Sequence, residues 1–104
     1  MLITTTPEYP GREIEKVLDI ARGSTVRSRN IGRDFSAAMR SIVGGEVKAY
    51  TTLMAKAREE ALDRMIADAR ALGADAIVNV RLQTSSVMAG ASEILAYGTA
   101  VKLK

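Results

Sequence analysis

Residues Glu46 to Leu72 carry one long helical pattern, and in a chain of 104 residues that feature dictates much of the architecture. A helix of about 27 residues is ~40 Å long at ~1.5 Å per residue. A compact globule of this chain length has a radius of gyration near ~13 Å, hence a diameter of roughly 35 Å. The helix outruns the globule, so the protomer is expected to be an elongated slab. Lys56–Glu60, Glu60–Arg64 and Arg64–Asp68 stand four residues apart with opposite charge, which supports the helix. Gly73 is a natural stop after Leu72. At ~100° per residue, Val47, Tyr50, Leu53, Met54, Ala57, Ala61, Met65 and Leu72 form one apolar stripe. Leu62, Ile66 and Ala69 widen it to about 220°, where a surface helix needs little more than ~100°. Such a helix should be covered on two sides.

The flanking segments read as strands. Leu2 to Thr5 is short and β-favouring, and Pro7 and Pro10 end it. Ile14, Leu18 and Ile20 alternate with Glu13, Glu15 and Asp19, a half-buried strand in which Lys16 interrupts the apolar face. Gly23 suggests a bend or bulge before Thr25 and Val26. Asp34 is placed to cap a helix through Phe35–Val43, which Gly44-Gly45 interrupts. Asp75 to Met88 alternates through Ala76, Val78, Val80 and Leu82, and at ~3.3 Å per residue spans ~46 Å. Ala89-Gly90 is a turn candidate. The following strand puts Leu95, Tyr97, Thr99, Val101 and Leu103 on one face and Gly98 on the other. These two strands predict an antiparallel hairpin. The whole chain, 1–104, reads as one domain of α+β class.

Composition then removes whole reaction classes. There is no His and no Cys. Ser-His-Asp and Cys-His nucleophilic systems are excluded in their usual form. So are the usual zinc sites and most copper or iron sites, which need imidazole or thiolate. No phosphate-cradling glycine motif and no EF-hand loop is present. No basic start with an apolar run opens the chain, and no stretch approaches ~18 apolar residues, so no membrane association is expected and the cytoplasm is the expected location. No catalytic residue and no cofactor is identified.

The remaining candidates each have a plain structural rival. Glu59, Glu60 and Asp63 could hold Mg²⁺ or do acid–base work, but they project mostly from the charged face of the helix. Met54 and Met65 fall in the apolar stripe, which favours packing over thioether ligation. Arg58 falls inside the apolar arc, about 80° from Tyr50. A charge there must find a salt-bridge partner or an anionic ligand. Five of the 15 basic residues lie between Arg22 and Arg40 against the single acid Asp34. That run lacks interleaved aromatics, so nucleic acid is not an expected partner.

The order of Gly44-Gly45, Tyr50, AREEAL (57–62), LGADAIV (72–78) and GTAV (98–101), within Ile42–Gln83 and Ala96–Leu103, resembles the YbjQ-like bacterial family. That family is of uncharacterised function and is often labelled "putative heavy-metal-binding". The resemblance covers nearly the full chain, more loosely in its first half. It implies a dodecin-like protomer, a long helix packed on a curved antiparallel sheet and ending in a β-hairpin, and a homopentameric ring. It supplies no catalytic residue. Heavy metals prefer thiolate, thioether or imidazole, and this chain offers neither Cys nor His, so no metal ligand is assigned.

The expectation is therefore a non-enzymatic homo-oligomer with a small anionic ligand at inter-subunit clefts. Its candidate contacts are Tyr50, Arg58, Tyr97 and Thr99. The alternative is a carboxylate metal site using Glu59, Glu60, Asp63 or Asp75.

Overall fold

The computed structural model describes residues 1–28, 45–88 and 91–104, with side chains at all of these except 28 and 45–51. The expected helix through Phe35–Val43 and the Ala89-Gly90 turn lie outside the described residues. The elements run β1 (Leu2–Ile3), β2 (Ile14–Ser28), α1 (Gly45–Ala71), β3 (Ala76–Met88) and β4 (Ala91–Leu103). The strands form one sheet in the order β1-β3-β4-β2. β3 and β2 both pair antiparallel with β4, while β1 runs parallel to β3. The sheet is thus mixed, where an antiparallel one was expected. A two-residue strand beside β3 gave no sequence signal of its direction.

The molecule measures 55 × 24 × 18 Å, with a radius of gyration of 17.0 Å. A compact chain of this length would have ~13 Å. The elongated slab expected from the helix length is what forms.

α1 packs on one face of the sheet through small residues. Ala57, Ala61, Met65 and Ala69 meet Ala21, Ile77, Val80, Ile94, Ala96 and Ala100, all buried. Gly23 lies directly beneath the helix. A Cβ there would collide with the Met65 nitrogen and the Ala61 carbonyl oxygen, and would lie 2.6 Å from Arg64 Cβ. Its lack of a side chain lets helix and strand backbones touch. Gly23 is therefore no bulge, and its pairing with Ala96 is regular.

The irregularities of β2 lie earlier, between Ile14 and Lys16 and between Val17 and Asp19. Each resets which face the side chains point to. That explains the charge at Lys16 in an apparent apolar face: Lys16 is exposed, and Ile20 emerges on the side away from α1. β3 has a further break between Val78 and Arg81, where Asn79 adopts φ 54°. Asn tolerates this left-handed conformation better than most residues. The N-terminal segment fastens there: Val80 N–H donates to Thr4 O at 3.0 Å and Asn79 N–H to Thr6 O at 2.9 Å. A second, smaller cluster on the opposite face joins Ala76, Val78, Val101 and Leu103 with Tyr9 and Ile14.

The edge of β2 is guarded by polar side chains, two of them from α1. Asp68 Oδ2 accepts the Arg22 N–H at 3.0 Å, and Arg64 Nη1 donates to the Ser24 carbonyl. Asp19 Oδ1 accepts the Ile20 N–H at 2.7 Å. Buried Thr25 donates its hydroxyl to Ala57 O at 3.1 Å. The bonds from Asp68, Arg64 and Asp19 satisfy edge groups that would otherwise invite another strand, while Thr25 ties the strand to the helix.

Candidate functional site

The open face of the sheet, away from α1, carries the candidate site. Side chains alternate along β4, so Ala96, Gly98 and Ala100 face the helix while Leu95, Tyr97 and Thr99 face the other way. Directly opposite residues in antiparallel strands share a face. Tyr97 lies opposite Arg22 on β2 and opposite Arg81 on β3. The result is a row Arg22–Tyr97–Arg81 across three strands, with the two arginine Cα atoms separated by two strand spacings, ~10 Å. The rows on either side are Ser24–Leu95–Gln83 and Ile20–Thr99–Val78. Neither contains an acid.

The two guanidiniums are held differently. Arg81 Nη1 donates to Thr5 O and to Val80 O, each at 2.9 Å, so its head is tied to the N-terminal segment. The Arg22 side chain has no polar partner among the described residues; only its backbone N–H is engaged, by Asp68. Tyr97 and Thr99 are half-buried. Guanidinium beside a phenol and a hydroxyl offers several donors toward an oxyanion.

Of the four predicted contacts, the structure brings Tyr97 and Thr99 together and separates them from the helix. The Tyr50 side chain lies outside the described residues. Arg58 is exposed, which corrects the expectation that it sits in a buried arc. The buried line Ala57–Ala61–Met65–Ala69 advances by four residues per step, and each step turns it ~40° around the axis. At the level of residue 58 that line lies about 100° away from Arg58. A helical wheel averages this drift over the whole length and hides it. Leu72, also placed in the stripe, is 38% exposed for the same reason. Arg22 and Arg81 were missed as neighbours of Tyr97, because the alignment of Arg81 depends on the break between Val78 and Arg81 and that of Arg22 on the irregularities between Ile14 and Asp19.

The carboxylates do not assemble. Glu60 pairs with Arg27 at 2.7 Å. The hydrogen bond from Arg27 holds the Glu60 carboxyl below its ordinary value, helped by the charges of Arg27, Arg64 and Lys56. Asp75 Oδ2 accepts the Leu103 N–H at 2.9 Å and its Oδ1 lies 3.8 Å from Lys102 Nζ. Glu59 and Asp63 are exposed on α1. Among the described residues, no three acidic side chains converge as a metal site requires. Met65 is fully buried in the core, so its thioether faces hydrocarbon. The donor set does not fit a soft heavy metal.

An open depression of about 630 Å³ is lined by residues 6–13. Two of its charged side chains are engaged locally: Arg12 donates to Lys104 O at 2.8 Å, and Glu13 pairs with Lys104 at 3.3 Å. Arg58, Tyr97 and Thr99 are not among its lining residues. No helix among the described residues is long and apolar enough to cross a membrane.

Comparison with known proteins places these features in context. Residues 1–104 match the YbjQ family, described as "Putative heavy-metal-binding". A UPF0145 protein of Methanosarcina acetivorans is 54% identical over 103 residues, spanning 99% of this chain and 97% of that one. A UPF0145 protein of Thermosipho africanus is 54% identical over 104 residues, spanning 100% and 96%. Among solved structures, a protein of unknown function in the DUF74 family from Pediococcus pentosaceus shares the fold. Its TM-score is 0.68 at 17% identity, covering 100% of this chain and 98% of that one.

Proposed function

The chain belongs to the YbjQ-like family, and on that premise we propose that it is a cytoplasmic, non-enzymatic, homo-oligomeric binding protein that takes a small oxyanion on the open face of its sheet. The observation that carries this reading is the row Arg22–Tyr97–Arg81, with Thr99 beside it and no acid in the neighbouring rows. Two cations held ~10 Å apart repel weakly in water, and an anion above Tyr97 would relieve both. Arg22 is the adaptable member and Arg81 the anchored one.

Self-association is supported by apolar strand surface. Val17, Ile20 and Val26 are 61%, 55% and 51% exposed. The second apolar side of α1, by contrast, is already half-buried within the chain at Met54, Leu62 and Ile66. The need for neighbours thus lies with the sheet rather than the helix. The family resemblance implies five chains in a ring, which puts the open faces of neighbouring sheets within reach of shared ligands.

The test uses inorganic phosphate and sulfate as probes, with native mass spectrometry to count chains. Wild type should show saturable shifts of the Tyr97 ring resonances. Arg22→Gln should weaken binding by roughly tenfold, in line with ~1.5 kcal/mol for a charge-assisted hydrogen bond. Arg58→Gln should bind as wild type does. Equal phosphate response in wild type and Arg22→Gln would remove the site from this face. A monomer mass at micromolar concentration would remove the oligomer.

The heavy-metal reading is not adopted. The chain has no imidazole or thiolate, and among the described residues no three carboxylates converge, so the donor set a soft metal prefers is missing.

A further inference from the structure

The two outer edges of the sheet are treated differently, and the difference assigns an interface. β2 is guarded by Asp19, Asp68 and Arg64 at Ile20, Arg22 and Ser24. On the other side, β1 covers only the start of β3, pairing with Ala76 and Ile77. The last groups of β3 to find partners on that side are those of Val80, whose N–H goes to Thr4 and whose carbonyl goes to Arg81. From Leu82 to Met88 β3 has no strand beside it on this edge among the described residues, and every one of these residues is exposed. Alternation from Val80 assigns the outward N–H and C=O groups to Leu82, Thr84 and Ser86.

The usual deterrents are missing from this edge. Leu82–Met88 contains no charge and no proline, while β2 carries Glu15, Lys16, Asp19, Arg22 and Arg27. Leu82, Val87 and Met88 are 46%, 53% and 68% exposed. Uncovered, uncharged and partly apolar, such an edge is a template for strand addition.

We infer that this edge pairs with the same edge of a second copy, antiparallel, about a two-fold axis through Ser85. The sequence is self-complementary in that register. Thr84 faces Ser86 with outward groups meeting outward groups, and Leu82 faces Met88, which lies past the register shift after Ser86. Apolar opposes apolar, and hydroxyl opposes hydroxyl, the pairings that stabilise adjacent strands. No like charges meet, which matters for a chain of net charge +3. Arg81 of each copy falls beyond Met88 of the other. An interface that uses one patch on both chains closes in pairs. The inference rests on the self-association proposed above and names its contact. A ring of five joined through this seam holds ten chains.

The absence of native cysteine gives a clean test. On the axis, the two copies of residue 85 form a non-hydrogen-bonded pair with Cα atoms ~4.5 Å apart, inside the range a disulfide spans. Ser85→Cys should therefore give a covalent species of twice the 11.2 kDa chain on mild oxidation. Asp63→Cys, exposed on α1 away from both strand surfaces, serves as the control and should not. Thr84→Pro removes an outward N–H while leaving the ladder to β4 intact, so it should fold and halve the native mass. Circular dichroism confirms folding, and Thr84→Lys serves as a second disrupting variant. An odd number of chains in wild type, or an oligomer that neither cross-links at 85 nor responds to Thr84→Pro and Thr84→Lys, overturns the seam and leaves self-association standing. A monomeric wild type overturns both.

Discussion

Gly23 is the residue on which the packing of this fold turns. The backbone of α1 rests against its Cα, so a methyl group has no space and nothing flexible to displace. Gly23→Ala should destabilise the protein by about 2–3 kcal/mol, a drop on the order of 10 °C in melting temperature. Gly98→Ala should cost about 1 kcal/mol less, because its nearest obstacle is the Ile77 γ-methyl at 2.6 Å, with Val78 O at 3.0 Å. Gly73 has φ +80° and open space around it, so Gly73→Ala should cost about 1 kcal/mol through backbone strain alone. Thermal denaturation of the three variants should rank them in that order. Glycine at 23 was visible in the sequence, but its reason was not. Bulge and close approach leave the same signature, and only the position of the helix distinguishes them. Arg58 shows the converse failure. Its place on a helical wheel was read correctly, yet the line of contact winds around the helix and leaves it in solvent.

At the scale of elements, the helix and the long strands were legible to within a residue or two at most ends. α1 occupies Gly45–Ala71 where Glu46 to Leu72 was expected, because Gly73 and the charge pairs marked its course. Face assignments were harder. Irregularities at Ile14–Asp19 and at Val78–Arg81 change the parity of side chains, and no single residue announces them. That is why Tyr97 and Thr99 could be named as contacts while their neighbours Arg22 and Arg81 could not.

The contact between α1 and β2 also has a pH signature. The Glu60 carboxyl is held below its ordinary value by Arg27. As pH falls, the unfolded chain therefore binds this proton first. The contribution to stability is complete above the ordinary glutamate value of ~4.3 and is lost as pH drops through the lower folded value. The difference in urea midpoint between wild type and Glu60→Gln should be larger at pH 7 than at pH 3, and should shrink in high salt. A difference unchanged by pH would mean the pair contributes nothing. Asp68 acts on the same contact through an uncharged group. Asp68→Ala should lower stability by about 1 kcal/mol in equilibrium denaturation, and Asp68→Asn by less, since its amide oxygen still accepts the Arg22 N–H.

The whole molecule is a slab 55 Å long and 18 Å thick, with apolar residues left on its strands. Such a shape has little interior, and the proposed self-association would supply burial that the single chain lacks. Its donor chemistry also bears on the family description. Titration with Zn²⁺ or Cu⁺ should show no stoichiometric binding tighter than about micromolar, because every soft donor is a thioether and, among the described residues, no group of acidic ligands converges. Calorimetry on untagged protein checks this, and a tight one-to-one isotherm would restore the metal reading.

One guarded edge and one bare edge also decide how far a sheet of this kind can grow. A sheet bare at both ends is a monomer for polymerisation, since each chain added exposes a fresh acceptor. Here α1 acts as a chain terminator. Asp68 and Arg64 occupy hydrogen-bonding sites of β2, and the proposed joining at β3 would consume the other open run among the described residues. Removing the terminator is then the hazardous mutation: Asp68→Ala combined with Arg64→Ala uncovers the second edge and should turn a finite particle into one that scatters light and binds amyloid dyes.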